Sequence, residues 1–320
     1  MYQVQLEDGG HDPPAEEIQM DLLTDIQLNA AQYARMDDGA EIAFRRWTKP
    51  KSKRIIISHG NGLAIDGFWK FGMALASEFE VIAFDLRNHG QSPRSPHPAN
   101  PWPRYIADIP YVFDAISEIF GKKETHGAFH SMAAASTLIA QSLTPRPWAT
   151  LTLFEPPIPA ATRPNLVADF NERQCAMAGR ARRRRRYFTD PKQLADSFKR
   201  ADSFSGICDL SLDLLARGSV YCSDASPEEP WELVLSPDNE ARNFDAGILS
   251  DYWENLGSVE TAVQLIVGDP ATHDMPNLPE IAAEMAASFG FPITSVPETN
   301  HFMQLQNPGL CAQHIFDFAR

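Results

Sequence analysis

The chain has 320 residues, 43% of them apolar, and carries 28 Lys+Arg against 42 Asp+Glu for a formal charge of −14. It is apolar enough for a packed core, which excludes a disordered chain, and long enough for one large domain with or without an insertion. The negative balance counts against nucleic acid or an anionic membrane as the main partner, and no apolar run reaches the ~18 residues of a membrane-spanning helix.

Residues 1–28 read as an acidic, polar lead-in without the basic and apolar stretches of a signal peptide. Next, AQYARM and AEIAFRRWT are strand-like runs around a turn at Asp38-Gly39. Arg54–His59 and Val81–Asp85 are short β-branched runs of the kind buried on both faces of a sheet. Between them FWKFGMALASEF has helical spacing. Over 105–120, Tyr105, Ile109, Val112, Phe113, Ile116 and Phe120 recur at three- and four-residue steps, which predicts a helix. Thr125–Phe129 reads as a strand, Ser131–Gln141 as a helix and Ala149–Phe154 as a strand. After a gap the alternation resumes: strand Ala262–Val267, helix 278–289, strand Ile293–Val296 and closing helix Pro308–Ala319.

Strand alternating with helix predicts an α/β fold with a mostly parallel central sheet flanked by helices. Residues 157–252 break the alternation, with helical, charged sequence and no buried strand in view, and read as a helical cap inserted after Ala149–Phe154. The core is then 29–156 plus 253–320. Prolines cluster at Pro93–Pro103 and Pro156–Pro164 and read as ordered loops. Cys175, Cys208, Cys222 and Cys311 form no CxxC pair and no zinc spacing, so they read as reduced, mostly buried thiols of a cytoplasmic protein. The arginines of the run Arg182–Arg186 must point all round a helix, so most read as facing solvent, with one or two guanidinia available to a substrate carboxylate or phosphate. Trp102, Phe188, Phe204, Trp231 and Trp253 are candidates to line a cap pocket, although core packing is the commoner fate of such residues.

Ligands of open α/β sheets bind beyond the carboxyl ends of the strands. Those ends carry His59-Gly60-Asn61-Gly62, Asp85-Leu-Arg-Asn-His-Gly-Gln-Ser92, His130-Ser131-Met132-Ala133, Glu155, Gly268-Asp269 and Thr299-Asn300-His301. One serine, then acids, then a histidine follow in chain order. From about residue 30 onward the chain resembles the α/β-hydrolase superfamily. HGNG resembles its oxyanion loop, DLRNHGQS its D-x-R-G-x-G-x-S segment, FHSMA its G-x-S-x-G nucleophile elbow and HFMQLQNP its closing histidine segment. The elbow departs from the pattern at Phe129 and Ala133. Phe129 must turn its ring away from the tight turn, and Gly127 offers the room.

The resemblance implies Ser131 as nucleophile and His301 as base, since a serine hydroxyl attacks only when a base takes its proton. It implies oxyanion donors from the backbone N–H groups of Met132 and Asn61. Asp269, in a D-P-x-T-like run, is the favoured triad acid, with Glu155 as the alternative and Asp274 behind both. His130, His59, His89 and His126 read as structural and His273 as a weak alternative base. HGN is also found in haloalkane dehalogenases, but those use an aspartate nucleophile, and Ser131 argues against that chemistry. The expected function is hydrolysis of a carboxylic ester or lactone of a small, partly apolar molecule through an acyl-enzyme. No metal or organic cofactor is implied, and a homo-oligomer is left open. Carbon–carbon or amide hydrolysis in the same fold, or ligand binding without catalysis, are the rivals.

Overall fold

A computed structural model describes residues 30–95 and 101–320. The expected lead-in at 1–28 and the middle of the Pro93–Pro103 cluster lie outside the described residues. Among the described residues eight strands form one sheet: β1 Gln32–Arg35, β2 Glu41–Arg46, β3 Lys53–Ser58, β4 Glu80–Phe84, β5 Glu124–His130, β6 Trp148–Phe154, β10 Ala262–Val267 and β11 Ile293–Ser295. Their spatial order is β1-β2-β4-β3-β5-β6-β10-β11. β1–β2 and β2–β4 pair antiparallel and all other neighbours parallel. This is the mostly parallel sheet that the strand–helix alternation predicts.

The inner strands β3, β4, β5, β6 and β10 are largely buried because helices cover both faces, whereas the edge strands β1 and β11 are mostly exposed. Side chains alternate across the pleat. Ile56, Ile82, Leu151 and Leu153 join one core with α2 (Pro101–Phe120), α3 (Met132–Leu143) and α8 (Asn277–Phe289). On the other side Phe71 of α1 (Trp69–Leu75) meets Phe154, and Phe79 stacks on Phe316 of α9 (Pro308–Phe318). Pro101 and Pro103, expected in a loop, lie in the first turn of α2. Proline is tolerated there because the first N–H groups of a helix have no intrahelical partner.

Residues 157–252 hold helices α4 (Pro164–Arg182), α5 (Pro191–Lys199), α6 (Asp209–Gly218) and α7 (Pro237–Asn243). They also hold what the periodicity did not predict: an antiparallel three-stranded sheet, in the order β7 (Tyr187–Phe188), β9 (Trp231–Leu233), β8 (Val220–Cys222). Strands of two or three residues are too short to show an alternation. A 3-10 helix at Gly247–Ser258 crosses the expected boundary at 252 and sends Leu249, Trp253 and Leu256 into the main core.

Two further expectations are corrected. The arginine run faces solvent for the most part, as expected, but it is not helical past Arg182: α4 ends there, Arg183 caps it, and Arg184, Arg185 and Arg186 pair with Glu240, Glu229 and Glu232. The thiols are not mostly buried: Cys175 and Cys222 are exposed, Cys208 is half-buried and only Cys311 is buried.

Candidate active site

Ser131 lies between β5 and α3 with φ +52° and ψ −113°, a backbone conformation that non-glycine residues rarely hold. Its N–H donates to the Phe154 carbonyl (2.8 Å), which ties the turn to the end of β6. The turn closes without the usual first glycine because the Phe129 ring leaves it. That ring lies in the core beside Phe84 and Trp148. Gly127 makes the space: a Cβ there would meet Phe129 Cε2 at 2.4 Å. His130 is fully buried. Its Nε2–H donates to the His301 carbonyl (2.8 Å), and its ring lies 4.5 Å from that of His301. Burial and the neighbouring His301 hold His130 well below the usual imidazole range, so it stays neutral.

The carboxylate beside His301 is Glu155. Its Oε2 lies 2.5 Å from His301 Nδ1. Glu155 is fully buried and sits at φ +46°, another strained backbone at a strand end. It also accepts from the Gly268 N–H (2.8 Å) and from His273 Nε2 (2.8 and 3.0 Å). His273 Nδ1 accepts the Met275 N–H at 2.9 Å, so the proton of its neutral ring is on Nε2, facing Glu155. Burial alone would raise the carboxyl pKa. The hydrogen bonds from His273 and His301 outweigh it and bring Glu155 down to about 2.

Asp269, the favoured acid of the sequence reading, does not meet His301. Its exposed carboxylate accepts the N–H groups of Ala271 (3.0 Å) and Glu298 (3.0 Å) and so caps a surface turn. Asp274 is also exposed, 3.8 Å from His273 Nδ1. The structure therefore replaces Asp269 with Glu155 as the partner of His301. His273, read as an alternative base, is instead a donor to that acid.

The HGNG loop lies directly on the elbow. A Cβ on Gly60 would sit 2.9 Å from Ser131 Cβ and 3.0 Å from His130 Nδ1, so only glycine allows the approach. Leu86 N–H donates to His59 Nε2 (3.2 Å), which leaves Nδ1–H to donate to the Gly60 carbonyl (2.8 Å). Gly62 N–H donates to His89 Nε2 (3.1 Å). The left-handed residue of this loop is Gly62, at φ +73°. The DLRNHGQS segment is a scaffold for this loop. Asp85 accepts from Ile65 N (2.9 Å) and Gln91 N (3.1 Å), and Arg87 pairs with Asp108 and Asp38.

A cavity of about 950 Å³ opens between this loop and residues 157–252, with Asn61, Leu63, Met177, Phe198, Phe204 and Phe302 among its walls and Arg180 and Arg184 at its polar side. Phe198, Phe204 and Phe302 stack at centroid distances of 4.9 and 4.7 Å, and the Phe302 ring lies 5.6 Å from that of His301. Of the aromatic candidates only Phe204 lines this space. Trp102 and Trp253 are core residues, Phe188 is buried, and Trp231 is in the small sheet. Among the described residues, Glu155, His273 and His301 are the group whose donor atoms, within 4.8 Å of one another, come close enough to hold a metal. The hydrogen bonds between them already account for that closeness.

Among the described residues no helix is long and apolar enough to cross a membrane. Residues 55–314 match the family model of the alpha/beta hydrolase family. No curated protein matches the chain. Among solved structures, an E-2-(acetamidomethylene)succinate hydrolase is similar with a TM-score of 0.70 at 17% identity, over 90% of this chain and 99% of that one. The thioesterase domain from the curacin biosynthetic pathway follows at 0.68 and 18%, over 90% and 99%. An alpha/beta hydrolase from Novosphingobium aromaticivorans gives 0.66 and 16%, over 91% and 98%. At these identities the likeness is one of fold.

Proposed function

The chain belongs to the alpha/beta hydrolase family, and from that premise we propose that it is a serine hydrolase that cleaves a carboxylic ester or lactone through an acyl-enzyme. The observation that carries the reading is the buried 2.5 Å contact between Glu155 and His301 on the same sheet edge as a serine held at φ +52°. Ser131 Oγ attacks the carbonyl carbon as its proton passes to His301 Nε2. Glu155 accepts the Nδ1–H, which keeps the Nε2 lone pair on the side of the base's work and stabilises the imidazolium that forms. The N–H groups of Met132, at the start of α3, and Asn61 receive the oxyanion. The C–O bond then breaks and the leaving alcohol takes the proton from Nε2–H. Water, giving its proton to Nε2, attacks the acyl carbon, and that proton returns to Ser131 as the acid departs.

A partly apolar acyl or alcohol group suits the Phe198–Phe204–Phe302 wall. The hydrolase and thioesterase named above share the fold and assign no substrate to this chain. A panel of p-nitrophenyl esters, lactones, anilides and β-diketones tests the reading. Turnover of esters or lactones that disappears in Ser131→Ala supports it. Turnover of only anilides or β-diketones moves the protein to amide or carbon–carbon bond hydrolysis, and turnover retained in Ser131→Ala removes the nucleophile.

A further inference from the structure

The oxyanion loop is held from two sides, and only one of them belongs to the sheet. From below, His59 and His89 fix the backbone of Gly60 and Gly62, on either side of Asn61. From above, α7 reaches down to the Asn61 side chain. Asn61 Nδ2 donates to the Glu240 carbonyl (3.1 Å), and Asn61 Oδ1 accepts from Asn243 Nδ2 (2.8 Å). Asn243 is itself fixed and 3% exposed: its Oδ1 accepts the Tyr105 hydroxyl (3.1 Å) and its backbone carbonyl accepts Trp102 Nε1–H (3.0 Å). The Glu240 carboxylate, paired with Arg184, lies over Gly62, where a Cβ would come 2.7 Å from Glu240 Oε1. Both hydrogen-bonding ends of the Asn61 amide are thus used by one inserted helix, 179 and 182 residues away in the chain.

An oxyanion donor works by being aimed before the charge develops. The direction of a backbone N–H depends on the torsions on each side of it, and the Asn61 side chain is the handle nearest to them. We propose that Asn243 is a positioning residue for the Asn61 N–H, acting through the Asn61 side-chain amide, so that docking of α7 and formation of the oxyanion hole are a single event. The segment 157–252 would then do more than shape the cavity. It would complete the catalytic apparatus, and Arg184, through Glu240, would serve that docking. This rests on the reading of Ser131 and Asn61 given under Proposed function.

The test is a double-mutant cycle with Asn243→Ala, Asn61→Ala and the pair. The Asn61 variant keeps its backbone N–H, and it reads the same bond from the other end should Asn243→Ala fail to fold. With p-nitrophenyl butyrate, each single variant should lose about 30-fold in kcat with KM within about twofold, and the double should lose no more than either single. The inhibition constant of a trifluoromethyl ketone, which forms the tetrahedral oxyanion, should rise by the same factor as kcat falls. Amide hydrogen exchange over residues 60–63 should speed up. A wild-type kcat, a rise in KM alone, or losses that multiply in the double variant would overturn the proposal. If the wild-type protein hydrolyses no ester, the functional reading fails by itself, and the exchange rates still decide whether Asn243 holds the loop.

Discussion

Replacing Glu155 with glutamine separates the two candidate acids with one atom. Glu155 accepts from three donors, His301 Nδ1, His273 Nε2 and the Gly268 N–H. An amide has one acceptor oxygen and one NH₂, so either orientation fails. With the NH₂ toward His301, two N–H groups confront each other until His301 shifts its proton to Nε2, and the lone pair that should take the Ser131 proton is gone. With the NH₂ toward Gly268 and His273, two donors face donors in a fully buried site. The wrong tautomer costs up to ~10⁴ in kcat in the triad template, about 5 kcal/mol of barrier. Asp269→Asn removes one exposed carboxylate from a surface turn and should leave kcat within about twofold. Both are read as kcat on a p-nitrophenyl ester at equal folded fraction by circular dichroism. A dead Asp269→Asn beside a near-normal Glu155→Gln would refute the reasoning.

Gly60→Ala places a methyl 2.9 Å from Ser131 Cβ; it should lower kcat by ~10- to 100-fold by displacing the oxyanion loop, with the melting temperature as the folding control. His273→Leu leaves the buried Glu155 with one donor fewer, which should cost about 1–3 kcal/mol in urea unfolding, and His273→Gln should recover part of it. Acid stability draws on several buried groups, His130 among them, and two have their own pH windows. His89 is lowered from 6.5 to about 3 by burial and by His59, so its neutral form favours the fold above pH 6.5 and that contribution is lost as pH falls toward 3. Glu155, lowered from 4.5 to about 2, contributes above pH 4.5 and loses its contribution as pH falls toward 2. His89→Asn should therefore flatten the stability profile in the first window and Glu155→Gln in the second, as read by denaturant midpoints across pH. Finally, Ellman's reagent on the native protein should titrate Cys175 and Cys222 fast and reach Cys311 only on unfolding.

What could be read in the sequence was whatever has a short-range signature. Ile55–Ile57 and Val81–Ala83 are apolar at every position because both sheet faces are covered, and Ser131 and His301 follow strands with recognisable neighbours. The sequence favours Asp269 as the partner of His301 because its run looks right locally, and the contact falls to Glu155 instead. Which strand end faces His301 depends on spatial order, and β6 lies between the elbow strand β5 and β10. The Gly268 N–H turns inward to Glu155, while the Asp269 side chain is held outward by Ala271 and Glu298. The φ of +46° at Glu155 is a property of the folded backbone that no residue type announces. The small sheet of β7–β9 leaves no pattern in the sequence because strands of two or three residues are too short for an alternation to repeat. The Asn61–Asn243 bond joins residues 182 positions apart and has no local signal at all.

The central claim is that Ser131 is an activated nucleophile. Incubation of the folded protein with a fluorophosphonate, followed by intact-mass and peptide mapping, tests it directly. The account predicts one adduct per chain, on Ser131, formed at a rate that falls in Glu155→Gln and absent in Ser131→Ala. An unlabelled folded protein, or an adduct that persists in Ser131→Ala, would contradict it.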